Sequence, residues 1–189
     1  QRKARRDWTV RRNRGSGGRD NHRSPVDGSP VKALLQRVKQ AEVRVDGMAV
    51  GSIDAGLVAL VCAVPSDTDT IATQLAQKIA NLRIFEDENG KMNRSVLDLP
   101  ADRARVLVVS QFTLAADARK GRRPSFTGAA APEQAIPLLE VFRAGLRACG
   151  VGSETGIFGA HMEVSLVNDG PVTIWLDTDE LFGSNRGQS

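Results

Sequence analysis

The stretch GLVALVCAV, Gly56 to Val64, contains no charged residue and almost no polar one. A continuous apolar run of this kind is typical of a β-strand that is buried on both faces of a sheet. Residues 104–114, ARVLVVSQFTL, begin with a second run of the same type. These two runs predict the central strands of a hydrophobic core.

One helix is predicted between these strands and another after them. Apolar residues follow the first run at helical spacing, at Ile71, Leu75, Ile79 and Leu82. They predict an amphipathic helix over residues 67–82, with an N-cap at Ser66-Asp67. A second helix is predicted over residues 132–148, because Pro132 suits a first turn and Gly150 suits a helix end.

Shorter strands and turns are predicted in the rest of the chain: KALLQRV (32–38), AEVRV (41–45), an Asp46-Gly47 hairpin turn, and RIFEDENGKMN (83–93) with an Asn89-Gly90 turn. The last part, residues 153–178, is predicted to form an antiparallel pair plus a strand that Gly170-Pro171 interrupts. The predicted fold class is α/β. We expect a single domain with a curved mixed or antiparallel sheet, or a barrel-like sheet, and two main helices.

The positive charge is concentrated at the N-terminus. Residues 1–30 hold nine Lys and Arg against three Asp, whereas residues 31–189 hold 17 basic and 19 acidic residues. We expect residues 1–30 to be a disordered basic extension, either an arm that touches RNA or a segment upstream of a natural start at Val31. Residues 31–178 are predicted to be the domain, and residues 179–189 a flexible tail.

Several functional classes lack their usual sequence signals. No window approaches the ~20 apolar residues of a membrane span, and the N-terminus has no apolar signal segment. Cys62 and Cys149 are far apart and are expected to be reduced thiols of a cytoplasmic protein. His161, the single histidine after residue 30, is expected to be structural or at the surface. Neither a metal site, a Ser-His-Asp triad nor a bound cofactor is therefore expected.

Polar residues appear in two places where a strand should be apolar. Ser110-Gln111-Phe112-Thr113 ends the second buried run, and Asn168–Thr173 (NDGPVT) interrupts the final strand, although proline cannot donate to a β-ladder. A strand cap and a tight turn or bulge would explain these stretches structurally. A pocket at the end of the sheet would explain them functionally.

Taken together, SQxxL and NxGPxT resemble the paired signature of the D-aminoacyl-tRNA deacylases, the D-tyrosyl-tRNA(Tyr) deacylase family. Other segments resemble the same family: ALLQRVKQAEVRVDG (33–47), EDENGKMN (86–93), KGRRPSF (120–126) and FGAHMEVSLVNDGPVTIWL (158–176). The resemblance covers residues 31–177. Many members of the family have Tyr after SQxxL, where this chain has Ala115.

The resemblance implies a homodimeric hydrolase that cleaves the ester between a D-amino acid and the 3′-terminal adenosine of tRNA. It also implies that the Gly170-Pro171 bond is cis and enters the pocket of the partner subunit, where it leaves no room for an L side chain. Asn168 and Thr173 would brace this turn. Because glycine has no side chain to clash, we expect glycyl-tRNA to be a second substrate.

The resemblance places catalysis at Ser110, Gln111, Phe112 and Thr113. Thr113 could be a nucleophile, but it lacks an evident base. The preferred alternative is attack by water, assisted by the ribose 2′-hydroxyl, with backbone N–H groups near Gln111 and Phe112 stabilising the oxyanion.

Contacts with tRNA are predicted on the loop after the catalytic stretch. Phe126 would either stack on the terminal adenine or pack in the core. A basic cluster would contact phosphates: Arg119, Lys120, Arg122 and Arg123.

Two other functions compete with the hydrolase. The first is an RNA-binding module without catalysis, which would use the basic tail and the Arg119–Arg123 loop. The second is a small-molecule-binding or assembly protein on a similar scaffold.

Overall fold

The computed structural model describes residues 31–182, so the predictions for residues 1–30 and 183–189 lie outside the described part of the chain. The elements are β1 (Lys32–Val45), β2 (Met48–Ile53), β3 (Gly56–Cys62), α1 (Asp69–Ala80), β4 (Phe85–Glu86), β5 (Met92–Arg94), β6 (Arg105–Ser110), α2 (Pro132–Ala148), β7 (Gly152–Thr155), β8 (Glu163–Asp177) and α3 (Thr178–Phe182). Two 3₁₀ turns, Val96–Asp98 and Phe112–Ala115, flank β6.

The main sheet is built around β1. This 14-residue strand pairs antiparallel with β3 through its first half, with β2 through its second half, and with β8 along nearly its whole length. β3, β6 and β7 run parallel to one another. A Cβ on Gly51 of β2 would overlap the carbonyl oxygen of Thr155 of β7. The two ends of the sheet therefore meet, and the α/β single domain with a barrel-like sheet is confirmed.

The core has two parts because β3 and β6 are buried on both faces, as their apolar runs predicted. One cluster joins the sheet to α1 and α2 and includes Leu57, Val106, Leu75 and Phe142. The other lies on the opposite face of these strands and includes Val38, Ile53, Val58 and Leu107. Within residues 31–182, no helix is long and apolar enough to cross a membrane.

The first helix begins later than predicted. Its N-cap is Thr68, whose side chain accepts a hydrogen bond from the Ile71 N–H. Asp67 instead points inward, and its carboxylate accepts from the Val64 N–H at 2.6 Å. Burial raises the pKa of Asp67 to about 6. The predicted N-cap at Ser66-Asp67 is wrong, because the Asp67 carboxylate binds the buried N–H of Val64 instead of the N–H groups of the first helical turn.

The second helix has the predicted bounds. Pro132 is at its first position, and Pro137 lies within the first two turns. At its end, Gly150 adopts φ 86°. The Gly150 and Val151 N–H groups donate to the carbonyls of Arg147 and Leu146. These two bonds form a Schellman motif, which favours glycine at this position.

Three predictions for the strands and the C-terminus are wrong. KALLQRV and AEVRV belong to one strand, β1. β7 pairs parallel with β6 rather than antiparallel with its successor. Residues 179–182, which were expected to start a flexible tail, continue α3, and Leu181 packs against the core.

Candidate active site

The polar stretch after the second buried run marks the end of β6. The Gln111 N–H donates to the carbonyl of Val61 at 2.8 Å, and the chain then turns into the 3₁₀ helix Phe112–Ala115. The first N–H groups of a helix have no partner within it. Those of Phe112 and Thr113 donate no hydrogen bond within residues 31–182. Two adjacent donors are therefore available to a ligand, and the N–H of Gln111 is not one of them.

A cavity of about 260 Å³ opens beside this turn. Ser110, Gln111 and Phe112 line one side of it. The other side comes from the segment that leads into β8: Phe158, Gly159, Ala160, His161, Met162 and Val164. His161 was expected to be structural or at the surface, and Phe158 was not predicted as a site residue, although FGAHM lies within the family resemblance.

A second cavity of about 100 Å³ adjoins the first. The two share Ser110 and Phe158. Ile136, Leu139 and Arg143 of α2 contribute apolar and cationic groups to the second one. The two cavities are therefore neighbours, and Phe158 belongs to the lining of both.

In the described part of the chain, residues 31–182, no base forms a hydrogen bond with the Thr113 hydroxyl. Its Oγ1 accepts a hydrogen bond from the Gln111 side-chain amide. The nearby thiol of Cys62 donates weakly to the Phe112 carbonyl at 3.6 Å. Burial raises the pKa of Cys62, which keeps the thiol neutral. Neither side chain is prepared as a nucleophile.

The Gly170-Pro171 pair lies in a bulge of β8. Asn168 pairs with Val38, and Thr173 pairs with Gln36, so that four residues on β8 face one residue, Arg37, on β1. The Gly170-Pro171 peptide bond is cis, and both residues are exposed. Because the bulged residues leave the ladder, the missing N–H of proline costs no ladder hydrogen bond.

The side chain of Asn168 closes this bulge. Its Oδ1 accepts from the Val172 N–H at 2.8 Å. Its Nδ2 donates to the Val172 carbonyl at 3.2 Å and to the Thr173 hydroxyl at 3.1 Å. One amide thus holds both sides of the turn.

Arg37 supports the bulge from behind and is only 4% exposed. Its Nε donates to the Asp169 carbonyl at 3.1 Å, and its Nη1 donates to the Ile84 carbonyl at 2.6 Å. Arg37 was not among the site residues predicted from the sequence. The signal was present, since Arg37 occupies the inward position of the alternating series Ala33, Leu35, Arg37.

The two polar stretches are not brought together within one chain. Neither Gly170 nor Pro171 lines either cavity. In the described part of the chain, β8 pairs on one side only, with β1. Val164, Val167 and Trp175 of β8 are exposed. The bulge thus projects from an edge strand with an apolar surface.

The residues predicted to contact tRNA lie on the loop that follows the 3₁₀ helix Phe112–Ala115. The Phe126 ring packs edge-on against Phe112 at a centroid distance of 5.1 Å, and Phe126 lines neither cavity. Arg119 binds Asp117 through two nitrogens and holds the pKa of that carboxyl well below its usual range. The other three cations of the loop are exposed and form no ion pair among residues 31–182: Lys120, Arg122 and Arg123.

Two other features of the described residues contrast with these cavities: a surface groove and the grouping of possible metal ligands. A groove of about 440 Å³ lies between β1, β2 and β8, but it contains neither polar motif. Among residues 31–182, no three His, Cys, Asp or Glu side chains are grouped so that they could hold a metal ion.

Comparisons with known proteins agree with this geometry. Residues 34–177 match the family described as D-Tyr-tRNA(Tyr) deacylase. A D-aminoacyl-tRNA deacylase of Thermomicrobium roseum is 59% identical over 82% of this chain and 99% of its own. One of Thermus aquaticus is 56% identical with the same coverage.

Two solved structures share the fold. One, named c-Myc DNA unwinding element binding protein, is 40% identical with a TM-score of 0.69, and the match covers 77% of this chain and 97% of that one. The other, a probable eukaryotic D-amino acid tRNA deacylase, has a TM-score of 0.66 at 17% identity over 78% of this chain and 98% of that one, a likeness of fold alone. The family match and the identities above establish that this chain belongs to the D-Tyr-tRNA(Tyr) deacylase family.

Proposed function

We propose that this chain hydrolyses the ester of D-aminoacyl-tRNA in the cytoplasm, releasing a D-amino acid and free tRNA. The observation that carries this proposal is the pair of unused N–H groups, those of Phe112 and Thr113, next to a cavity large enough for an aminoacyl group. Such a pair is suited to binding the oxyanion that forms when an ester carbonyl is attacked.

The two neighbouring cavities are assigned to the two parts of the substrate. The aminoacyl ester would occupy the cavity beside Gln111, and the terminal adenosine would extend into the cavity beside Ile136. Phe158 lies between them with 39% of its surface exposed, which leaves a ring face for the base. Phe126, the aromatic residue predicted from the sequence, would act through its contact with Phe112.

Water is the attacking group in this mechanism. Its oxygen bonds to the ester carbon, and the carbonyl oxygen becomes an oxyanion that accepts from the Phe112 and Thr113 N–H groups. The carbonyl then re-forms as the bond to the ribose 3′-oxygen breaks, and that oxygen takes up the proton that the attacking water loses, relayed by the neighbouring 2′-hydroxyl. Thr113 therefore acts through its backbone N–H, which binds the oxyanion, and not through its hydroxyl.

Selection against L-amino acids requires a second copy of the chain. The Gly170-Pro171 bulge does not reach the cavity of its own chain, but it projects from the unpaired side of β8, whose exposed valines and Trp175 suit an interface. In a homodimer, the bulge of one subunit would enter the cavity of the other and occupy the space of an L side chain. Glycyl-tRNA would escape this clash and be cleaved.

The basic loop would contact the tRNA backbone. Lys120, Arg122 and Arg123 are exposed beside the catalytic turn and have no carboxylate partner among the described residues. Contacts with phosphates are independent of sequence, which suits an enzyme that acts on many tRNAs.

The decisive experiment is release of D-tyrosine, L-tyrosine and glycine from tRNA charged with each, measured beside the molar mass of the protein in solution. We expect rapid release of D-tyrosine and glycine, retention of L-tyrosine, and the mass of a dimer. Equal rates for glycine and L-tyrosine, or for glycine and L-alanine when tRNA charged with L-alanine is added to the series, would contradict rejection by a steric wall. A monomer that still discriminated would contradict a wall from the partner.

An RNA-binding module without catalysis is the second candidate, and the unpaired cations of the loop favour it. Deletion of residues 1–30 separates the two functions. The hydrolase would keep its turnover, whereas a module that binds through the basic tail would lose salt-dependent affinity.

A further inference from the structure

The buried guanidinium of Arg37 needs negative charge nearby, because an unpaired buried cation is strongly unfavourable. Two carboxylates supply it. The Asp169 Oδ2 lies 3.3 Å from Nε, and the Glu86 Oε1 lies 3.6 Å from Nη2. Asp169 belongs to the bulge itself, whereas Glu86 belongs to β4.

The two carboxylates are not equivalent. Asp169 also faces Lys39, whose nitrogen is 3.9 Å from Oδ1, so its charge is shared between two cations. Glu86 forms no ion pair other than that with Arg37 among residues 31–182. The charge of Glu86 is therefore directed at this guanidinium alone.

Glu86 also faces the nitrogen that packs behind Gly170. A Cβ built on Gly170 would lie 3.1 Å from Nη2 of Arg37, and the only nearer atoms belong to Val172, which is itself part of the bulge. This nitrogen is therefore the nearest support of Gly170 from outside the bulge. The Ile84 carbonyl holds Nη1 of the same guanidinium, and it precedes Glu86 by two residues. The start of the β4–β5 hairpin and the bulge are thus joined through one side chain.

We propose that Glu86 is a positioning residue for rejection of L-amino acids, because its carboxylate keeps Nη2 of Arg37 against the backbone of Gly170. This inference rests on the proposed function, in which the bulge is the rejecting wall. Removal of the charge frees one corner of the guanidinium, and the wall yields to an L side chain.

The test is Glu86→Gln, with Glu88→Gln as the matched control. Glu88 is on the same hairpin, forms an ion pair with Arg94 instead, and is 82% exposed against 60% for Glu86. The readout is the rate of L-tyrosine release divided by that of D-tyrosine release, from tRNA charged with each. We expect Glu86→Gln to raise this ratio about twofold to fivefold, the range for a partly exposed charge pair, while Glu88→Gln leaves it unchanged.

Glu86→Asp keeps the charge on a shorter side chain and is expected to restore part of the discrimination. Asp169→Asn combined with Glu86→Gln is expected to exceed either single change, because both carboxylates act on one guanidinium. An unchanged ratio in Glu86→Gln, or an equal rise in Glu88→Gln, contradicts the proposal. So does a lower melting temperature with no rise in the ratio, since that result assigns Glu86 a purely structural role.

The same assay separates this inference from the proposed function. If the unmodified protein does not prefer D-tyrosine, the proposed function itself is wrong. If the unmodified protein discriminates and Glu86→Gln discriminates equally well, only the role of Glu86 is wrong.

Discussion

The end of β6 and the bulge of β8 both interrupt a β-strand, but they treat their polar groups in opposite ways. At the end of β6, the N–H groups of Phe112 and Thr113 have no acceptor among residues 31–182. In the bulge, Asn168 makes three hydrogen bonds across the turn, to Val172 and Thr173, and Arg37 holds the backbone from behind.

Under the proposed function, this difference corresponds to two roles, binding of a developing charge and exclusion of a side chain. A group that stabilises a developing charge must have unused donors, already in place before the charge appears. A surface that excludes a side chain must resist displacement, so its own polar groups are best satisfied internally. The first region is therefore expected to tolerate loss of a side chain, and the second is not.

The largest effect is expected from Gly170→Ala. Gly170 has φ 128°, and a Cβ there would lie 2.8 Å from Val172 Cγ2 and 3.0 Å from the Val172 nitrogen. The bulge must move, and displacement of about 1 Å at an active site can reduce turnover about 100-fold. We expect D-tyrosine release to fall by that order, measured under single-turnover conditions.

Gly47→Ala is the matched control for that change. Gly47 also has positive φ, 77°, but nothing lies within 4 Å of its Cβ position. It should lose stability from the backbone conformation alone and keep its activity. Equal loss of activity in both variants would show that the bulge has no special role.

Asn168→Asp is expected to have the next largest effect. The aspartate can still accept from the Val172 N–H, but it cannot donate to the Val172 carbonyl or to Thr173. Loss of hydrogen bonds from partly buried groups costs about 1–3 kcal/mol, so the melting temperature should fall and L-tyrosine release should rise. Thr173→Val removes only one of these bonds and should give a smaller change in the same direction.

The local conformation at these regions could be predicted from sequence, but their partners could not. The apolar runs of β3 and β6, the bounds of α2 and the Asp46-Gly47 turn follow from neighbouring residues. The parallel pairing of β7 with β6 joins residues about fifty positions apart, and no local pattern encodes it.

The same limit explains which site residues were missed. SQxxL and NxGPxT mark the two interruptions, since polar residues and proline break an apolar strand. Arg37 supports the bulge from another strand, and Phe158 reaches the cavity from a loop. The roles of these two residues depend on contacts with parts of the chain that are distant in sequence. For Arg37, the alternation along β1 indicates burial but not the contact with the bulge.

A more moderate effect is expected from Phe158→Leu, which tests how the cavity beside the end of β6 binds the substrate. Loss of the ring face should raise KM about tenfold with kcat nearly unchanged, in line with the strength of base–aromatic stacking. Phe126→Leu is the comparison, because the Phe126 ring lines neither cavity. Among the aromatic side chains of residues 31–182, it packs only against Phe112. A larger rise in KM for Phe126→Leu would return the adenine contact to the residue predicted from the sequence.

The smallest effect is expected from Thr113→Val. The substitution removes the hydroxyl that accepts from Gln111 but leaves the backbone N–H in place. If water attacks the ester and the N–H stabilises the oxyanion, kcat should stay within about threefold of that of the unmodified protein. The reason is that the oxyanion keeps its backbone N–H donors in this variant. A fall of about 100-fold or more, or an acyl group trapped on Thr113 and detected by mass spectrometry, would instead make this residue the nucleophile. The end of β6 would then act through a side chain. Its difference from the bulge would no longer lie in whether the polar groups of the backbone have hydrogen-bond partners.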